Sequence, residues 1–181
     1  MRLVDLEHVV AAAAQVSDEV EFVVIGSQAV LAADDPPTEL LRSMEADLYP
    51  LHAPEKAEAI DASLGDGSPF HRTYGYYAHG VGPETAKAPA GWENRLIALS
   101  IPPRAASNKG ATALCLEAHD LILAKCARGE ARDWEFAQDA LAAGLVSLPS
   151  LLGLIDDLPL PEDRRSYVRR MLEARAPTEP H

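Results

Sequence analysis

The sequence predicts an α+β protein: a mixed sheet with flanking helices, followed by a C-terminal helical subdomain. Three observations carry this expectation. The runs VEFVVI, MEADLY and LIALSI read as short strands, and helical stretches separate them within the first 110 residues. From residue 111 onward the apolar spacing is that of helices. With 181 residues, 48% of them hydrophobic and 24% charged, the chain buries a core without disulfides or metal staples. The expected division is an α/β core over 1–110 and a helical subdomain over 111–181 that completes a cleft. No repeat or low-complexity linker marks the boundary.

Each element has its own warrant. Leu3, Leu6, Val9, Val10 and Ala13 form one stripe, which predicts an amphipathic helix over 3–15. The β-branched run at 20–25 predicts a buried strand stopped by Gly26. Good helix formers at 27–33 follow Ser27, an N-cap candidate, and Pro36 and Pro37 end that stretch. Residues 44–49 alternate: Met44, Ala46 and Leu48 face one way, Glu45, Asp47 and Tyr49 the other. A helix is expected over 54–64, with proline near its start. The stretch 65–95 is rich in Gly, Pro, His and Tyr; it predicts one or two short strands around FHRTYGYYAHG and a loop ending in GWENR. LIALSI at 96–101 reads as a buried strand closed by Pro102 and Pro103. Helices are expected at about 116–127, 131–143, 148–157 and 161–175, and a frayed tail over 176–181.

Composition excludes several functions. The net charge is −12, so passive coating of nucleic acid or of an anionic membrane is not expected. A local basic patch remains: Arg164, Arg165, Arg169, Arg170 and Arg175 fall within about three helical turns. They read as a solvated helix face or as a surface for RNA or an acidic partner. No apolar run approaches the roughly 18 residues of a membrane span. Asp5 and Glu7 precede the first apolar stretch, where a secretory signal carries no acids. A cytoplasmic protein is expected, with no membrane partner. Cys115 and Cys126 make no metal-spacing motif, the six histidines show no metal-ligand spacing, and zinc is not expected.

Three features have chemical content. Gly26-Ser27 lies between a strand and a helix; it is a plain turn and cap, or a place where backbone approaches a phosphate. Glu45 and Asp47 project from one face of a strand, roughly 6–7 Å apart. They are a solvated outer face or an oxygen-rich Mg²⁺ site, with Arg42 just upstream. Ala118, Leu121, Ile122 and Lys125 sit at i, i+3, i+4 and i+7, so the Lys125 ammonium lies on a buried face. Asp133 takes the first stripe position of the next helix. The two are a structural pair at the helix corner, or they face a cleft and an anionic ligand. The dense set His71, Arg72, Tyr74, Tyr76, Tyr77 and His79 reads as an aromatic strand face or as a wall that stacks a base. Trp134 reads as a packing residue.

Taken together, IGSQAV followed by RSMEADLY resembles the nucleotidyltransferase superfamily, of DNA polymerase β-like fold. The stretch LEAHDLILAKCARGEARDWEFA is similar to its AbiEii-type branch, through Asp120, Lys125 and Asp133. That branch includes toxins of toxin–antitoxin systems. The resemblance covers roughly residues 18–145. Here the first acid is Glu45, where Asp is usual, and LIALSI carries no third acid. The resemblance implies transfer of NMP from an NTP to an RNA, foremost tRNA, or to a protein. Gly26, Ser27, Arg42 and Lys125 would hold the nucleotide. Glu45 and Asp47 would hold Mg²⁺. Asp47, Lys125 and Asp133 would be catalytic, Asp133 by binding metal or orienting the attacking hydroxyl. It also implies a cognate antitoxin or toxin as partner, or a non-catalytic role such as that of an antitoxin.

Overall fold

The computed structural model describes residues 1–103 and 110–176. Helix α1 (Leu3–Ser17) leads into strand β1 (Glu21–Val24), whose Phe22, Val23 and Val24 are buried. A 3₁₀ helix, Ser27–Ala32, follows in place of the expected α-helix. Strand β2 (Glu45–Pro50) comes next, then helices α2 (Ala57–Leu64) and α3 (Pro69–Tyr74) and strand β3 (Tyr77–Gly80). Strands β4 (Ile97–Ile101) and β5 (Ala111–Cys115) complete the sheet. Four helices close the chain: α4 (Ala118–Arg128), α5 (Ala131–Ala142), α6 (Leu148–Leu154) and α7 (Glu162–Glu173). The fold is mixed α+β, as expected.

The five strands run in the order β3-β2-β1-β5-β4. β1 is antiparallel to β2 and parallel to β5, β2 is parallel to β3, and β4 is antiparallel to β5. Ala46, Leu48 and Ala78 are fully buried on one sheet face, and α1 and α2 pack together on that side. Side chains one residue out of phase, those of Glu45, Asp47 and His79, leave the opposite face. One contiguous core runs from α1 through the sheet into α4, α5 and α7.

Three expectations are corrected. Residues 111–115 do not begin the helical half: they form β5 at the heart of the sheet, and helix starts at Ala118. LIALSI is not a buried strand but the sheet's edge, with Ile97 exposed. PFHRTY is helix α3: Ser68 caps it by accepting from the His71 N–H, Pro69 fits its first turn, and Gly75 closes it in the left-handed region at φ 77°. The expected tail lies, beyond Ala176, outside the described residues.

Candidate functional site

The end of β1 and the start of β2 are held together where the Ile25 N–H donates to the Asp47 carbonyl at 3.0 Å. That bond presses Gly26 onto the Asp47 side chain. A Cβ at Gly26 would fall 1.9 Å from Asp47 Oδ2 and 2.7 Å from Cγ, so only glycine fits. Its φ is −86°, and the requirement is therefore space rather than backbone strain. Ser27 caps nothing. Its hydroxyl instead accepts from Lys125 Nζ at 2.9 Å, which ties the turn to α4 across 98 residues of sequence.

On β2, Glu45 and Asp47 share a face, and the parallel register sets His79 directly beside Asp47. His79 Nδ1 lies 2.9 Å from Asp47 Oδ1 and 2.9 Å from Glu45 Oε1. Tyr77, two residues back and opposite Glu45, donates its hydroxyl to Glu45 Oε2 at 3.3 Å. Burial, then the charge of Asp47, pushes the Glu45 carboxyl above its ordinary range. Burial alone would lower His79, but its hydrogen bond to the Asp47 carboxylate and the charges of Asp47 and Glu45 outweigh it and raise the imidazole. Among the described residues, ligand atoms of Glu45, Asp47 and His79 all lie within 4.8 Å of one another. Two atoms each at the usual ~2.1 Å from a small divalent ion are at most about 4.2 Å apart, so small side-chain rotations fit this set to one ion.

The α4–α5 corner is of a different kind. Gly129 ends α4 in the left-handed region at φ 78°, and α5 starts two residues later. Asp133 is fully buried. It accepts from Arg128 Nε at 2.8 Å and Nη2 at 2.5 Å, and from the Glu130 N–H at 3.2 Å. Lys125 Nζ stands 3.7 Å away and lies 4.5 Å from the centre of the Phe136 ring. Burial lowers the Lys125 ammonium, and Asp133 works against that shift. Burial alone would raise Asp133, but Arg128 and Lys125 hold its carboxyl below the ordinary range.

A cavity of about 990 Å³ joins these parts. Gly26, Ser27, Arg42, Glu45, Asp47, Lys125 and Asp133 all line it, so the structure gathers every expected site residue at one place. Arg42 stands at the rim, largely exposed and 4.0 Å from Asp139. Sequence reasoning missed His79, Arg128 and Phe136 as members of the lining. The i, i+5 spacing of Arg128 and Asp133 around a glycine corner was the available signal for one of them. For His79 there was none, because strand register is not written locally.

Other candidates lie elsewhere. Asp120 is fully buried and takes Arg95 in a two-pronged contact at 2.7 and 2.8 Å, which fastens the GWENR loop to α4. The aromatic stretch divides: Tyr74 and Tyr76, with Phe70, gather around His8 of α1, while Tyr77 and His79 stand at the acid pair. Trp134 packs, with its indole N–H on the Gly129 carbonyl at 3.1 Å. Of the C-terminal arginines, Arg164 lines the cavity, while Arg165 pairs with Glu162 and Arg169 with Asp156. Burial pushes the Cys115 and Cys126 thiols up to about 12, which leaves them unreactive. LIALSI, which carries no third acid, lies on β4, and β1 and β5 stand between it and β2. No helix among the described residues is long and apolar enough to cross a membrane.

Residues 1–173 match the model of a family described as "Nucleotidyltransferase of unknown function (DUF6036)". The match spans nearly the whole chain. No curated protein and no solved structure matches.

Proposed function

Starting from the chain's membership of this nucleotidyltransferase family, we propose that it moves NMP from an NTP to an RNA, foremost tRNA, or to a protein acceptor. We place it in the AbiEii-type branch, with the role of a toxin held by a cognate antitoxin. The observation that carries the reading is the Lys125–Ser27 hydrogen bond. It ties the helix corner to the glycine turn, which the Ile25–Asp47 backbone bond in turn ties to the acid strand, although these parts lie far apart in sequence.

In this reading Glu45 and Asp47 hold Mg²⁺, a hard cation suited to carboxylate oxygens. The ion would supply charge stabilisation at the α-phosphoryl group and the leaving pyrophosphate. The triphosphate lies along the Gly26-Ser27 backbone, with Arg42 at the rim. The turn is a short 3₁₀ helix whose dipole is small, so most of the phosphate charge falls to Lys125 and Arg128. The acceptor oxygen bonds the α-phosphorus as the bond to pyrophosphate breaks, and Asp47 takes the acceptor's proton. Asp133 acts as a positioning residue rather than as metal ligand or base, because Arg128 occupies both its oxygens. The balance is one of positioning and electrostatics.

The test is transfer of label from each α-labelled NTP, with Mg²⁺, to total RNA and to cell extract. Asp47→Ala is expected to abolish transfer and Lys125→Ala to lower it by roughly 10²–10³, each with an unchanged far-UV circular dichroism spectrum. Full activity in either variant overturns the assignment. A wild-type protein that binds NTP and transfers to no acceptor is instead a non-catalytic nucleotide- or partner-binding member, such as an antitoxin. Glu45 at the first acid position is the feature that favours that second reading.

A further inference from the structure

The acid pair stands beside a nitrogen, not beside a third acid. Parallel pairing of β2 with β3, the outermost strand on that side of the sheet, sets Asp47 against His79. His79 Nδ1 faces both carboxylates at once, at 2.9 Å from each. One ring N–H serves two hydrogen bonds poorly, whereas a lone pair and two carboxylate oxygens converge well on one ion. The absence of a Cβ at Gly26 leaves the Asp47 carboxylate the space it occupies beside His79.

We propose that His79 is the third protein ligand of the metal held by Glu45 and Asp47, and that it makes the site prefer Mn²⁺ over Mg²⁺. The inference rests on the metal-dependent reading above. Its chemistry is independent of any substrate. Oxygen-only sets suit Mg²⁺, which coordinates imidazole weakly and keeps its waters. Imidazole nitrogen binds later first-row ions better, and Mn²⁺ accepts both donor types. A site of two carboxylates and one imidazole therefore favours Mn²⁺, and the preference belongs to one residue.

The experiment is metal binding to the full-length protein without nucleotide. Mn²⁺ is titrated by electron paramagnetic resonance, and Mg²⁺ is then added as competitor. Wild type is compared with His79→Ala, His79→Asp, Asp47→Ala and the distant control His52→Ala. Removing a ligand costs at least as much as removing a ligand's support, so His79→Ala is expected to weaken Mn²⁺ by about tenfold or more. Its Mg²⁺ affinity should change far less. His79→Asp restores a third donor, and Mg²⁺ should now displace Mn²⁺ at a lower excess than in wild type. His52→Ala should match wild type. Wild-type Mn²⁺ affinity in His79→Ala, or an unchanged Mn²⁺ to Mg²⁺ ratio in His79→Asp, overturns the inference while leaving the Glu45–Asp47 metal site standing. If neither wild type nor Asp47→Ala takes up Mn²⁺, the metal-dependent reading falls as well.

Discussion

Two charged clusters face one another across the cavity, and they are built in opposite ways. On the sheet, two carboxylates share one imidazole, the groups are half-exposed, and the hydrogen bonds are shared. At the α4–α5 corner, two cations share one carboxylate; Asp133 is buried, and its oxygens take Arg128 and a backbone N–H. The first cluster carries surplus negative charge on a sheet face that is partly open to solvent. The second carries surplus positive charge on a rigid helical turn. The corner is already a finished structural unit, since a buried charge without a partner would be costly. The sheet cluster is not finished: its acids repel, and a cation would resolve the repulsion. A metal-bound triphosphate, cationic at one end and anionic at the other, matches that polarity.

The sharpest way to break the comparison is at the corner. Asp133→Ala leaves the buried Lys125 without its carboxylate and releases the half-exposed Arg128, and should destabilise the protein by about 2–3 kcal/mol, less than the loss of a fully buried pair because water screens Arg128. Urea denaturation measures this, and a loss under ~1 kcal/mol would mean the corner is not the structural unit described. Lys125→Ala tests the other half of the claim. Asp133 keeps Arg128, so the fold should hold, while nucleotidyl transfer should fall by roughly 10²–10³, as expected when one electrostatic contact to a developing charge is lost. Single-turnover transfer reads this directly. Gly26→Ala drives a methyl group into Asp47, and should cost about 1–3 kcal/mol of stability. It should also weaken Mn²⁺ binding, because the carboxylate must shift.

Smaller effects sharpen the picture. The depressed Asp133 carboxyl contributes stability that is fully present above the usual carboxylate range, near pH 4, and is lost as pH falls through its lower folded value. Acid denaturation of wild type should therefore be steeper below about pH 4 than that of Asp133→Asn. Smallest of all, Tyr74→Ala should leave NTP binding unchanged, since that ring packs with His8 away from the cavity. A weakened NTP affinity would return the aromatic stretch to the site.

Much of this was legible in the chain itself. Periodicity placed α1, β1, β2 and α4, and the i, i+3, i+4, i+7 stripe put Lys125 on a buried face. Those elements announce themselves because burial repeats at the period of the local backbone. Failures came where local signals competed. FHRTY is rich in aromatic residues, which favour strands, but the cap of Ser68 and Pro69 and the stop of Gly75 prevail. ATALC is short and weakly β-forming, and becomes a strand because β1 and β4 flank it.

By itself the sequence determined which side chains turn inward and that two acids share one strand face. Tertiary structure alone decided what those groups meet. It set His79 beside Asp47, Arg128 on Asp133 and Lys125 on Ser27, and kept LIALSI far from the acids. The reason is that a residue's facing direction follows from the few dihedrals around it, whereas its neighbours across a sheet or a helix corner follow from strand order and register, which depend on burial summed over the whole chain.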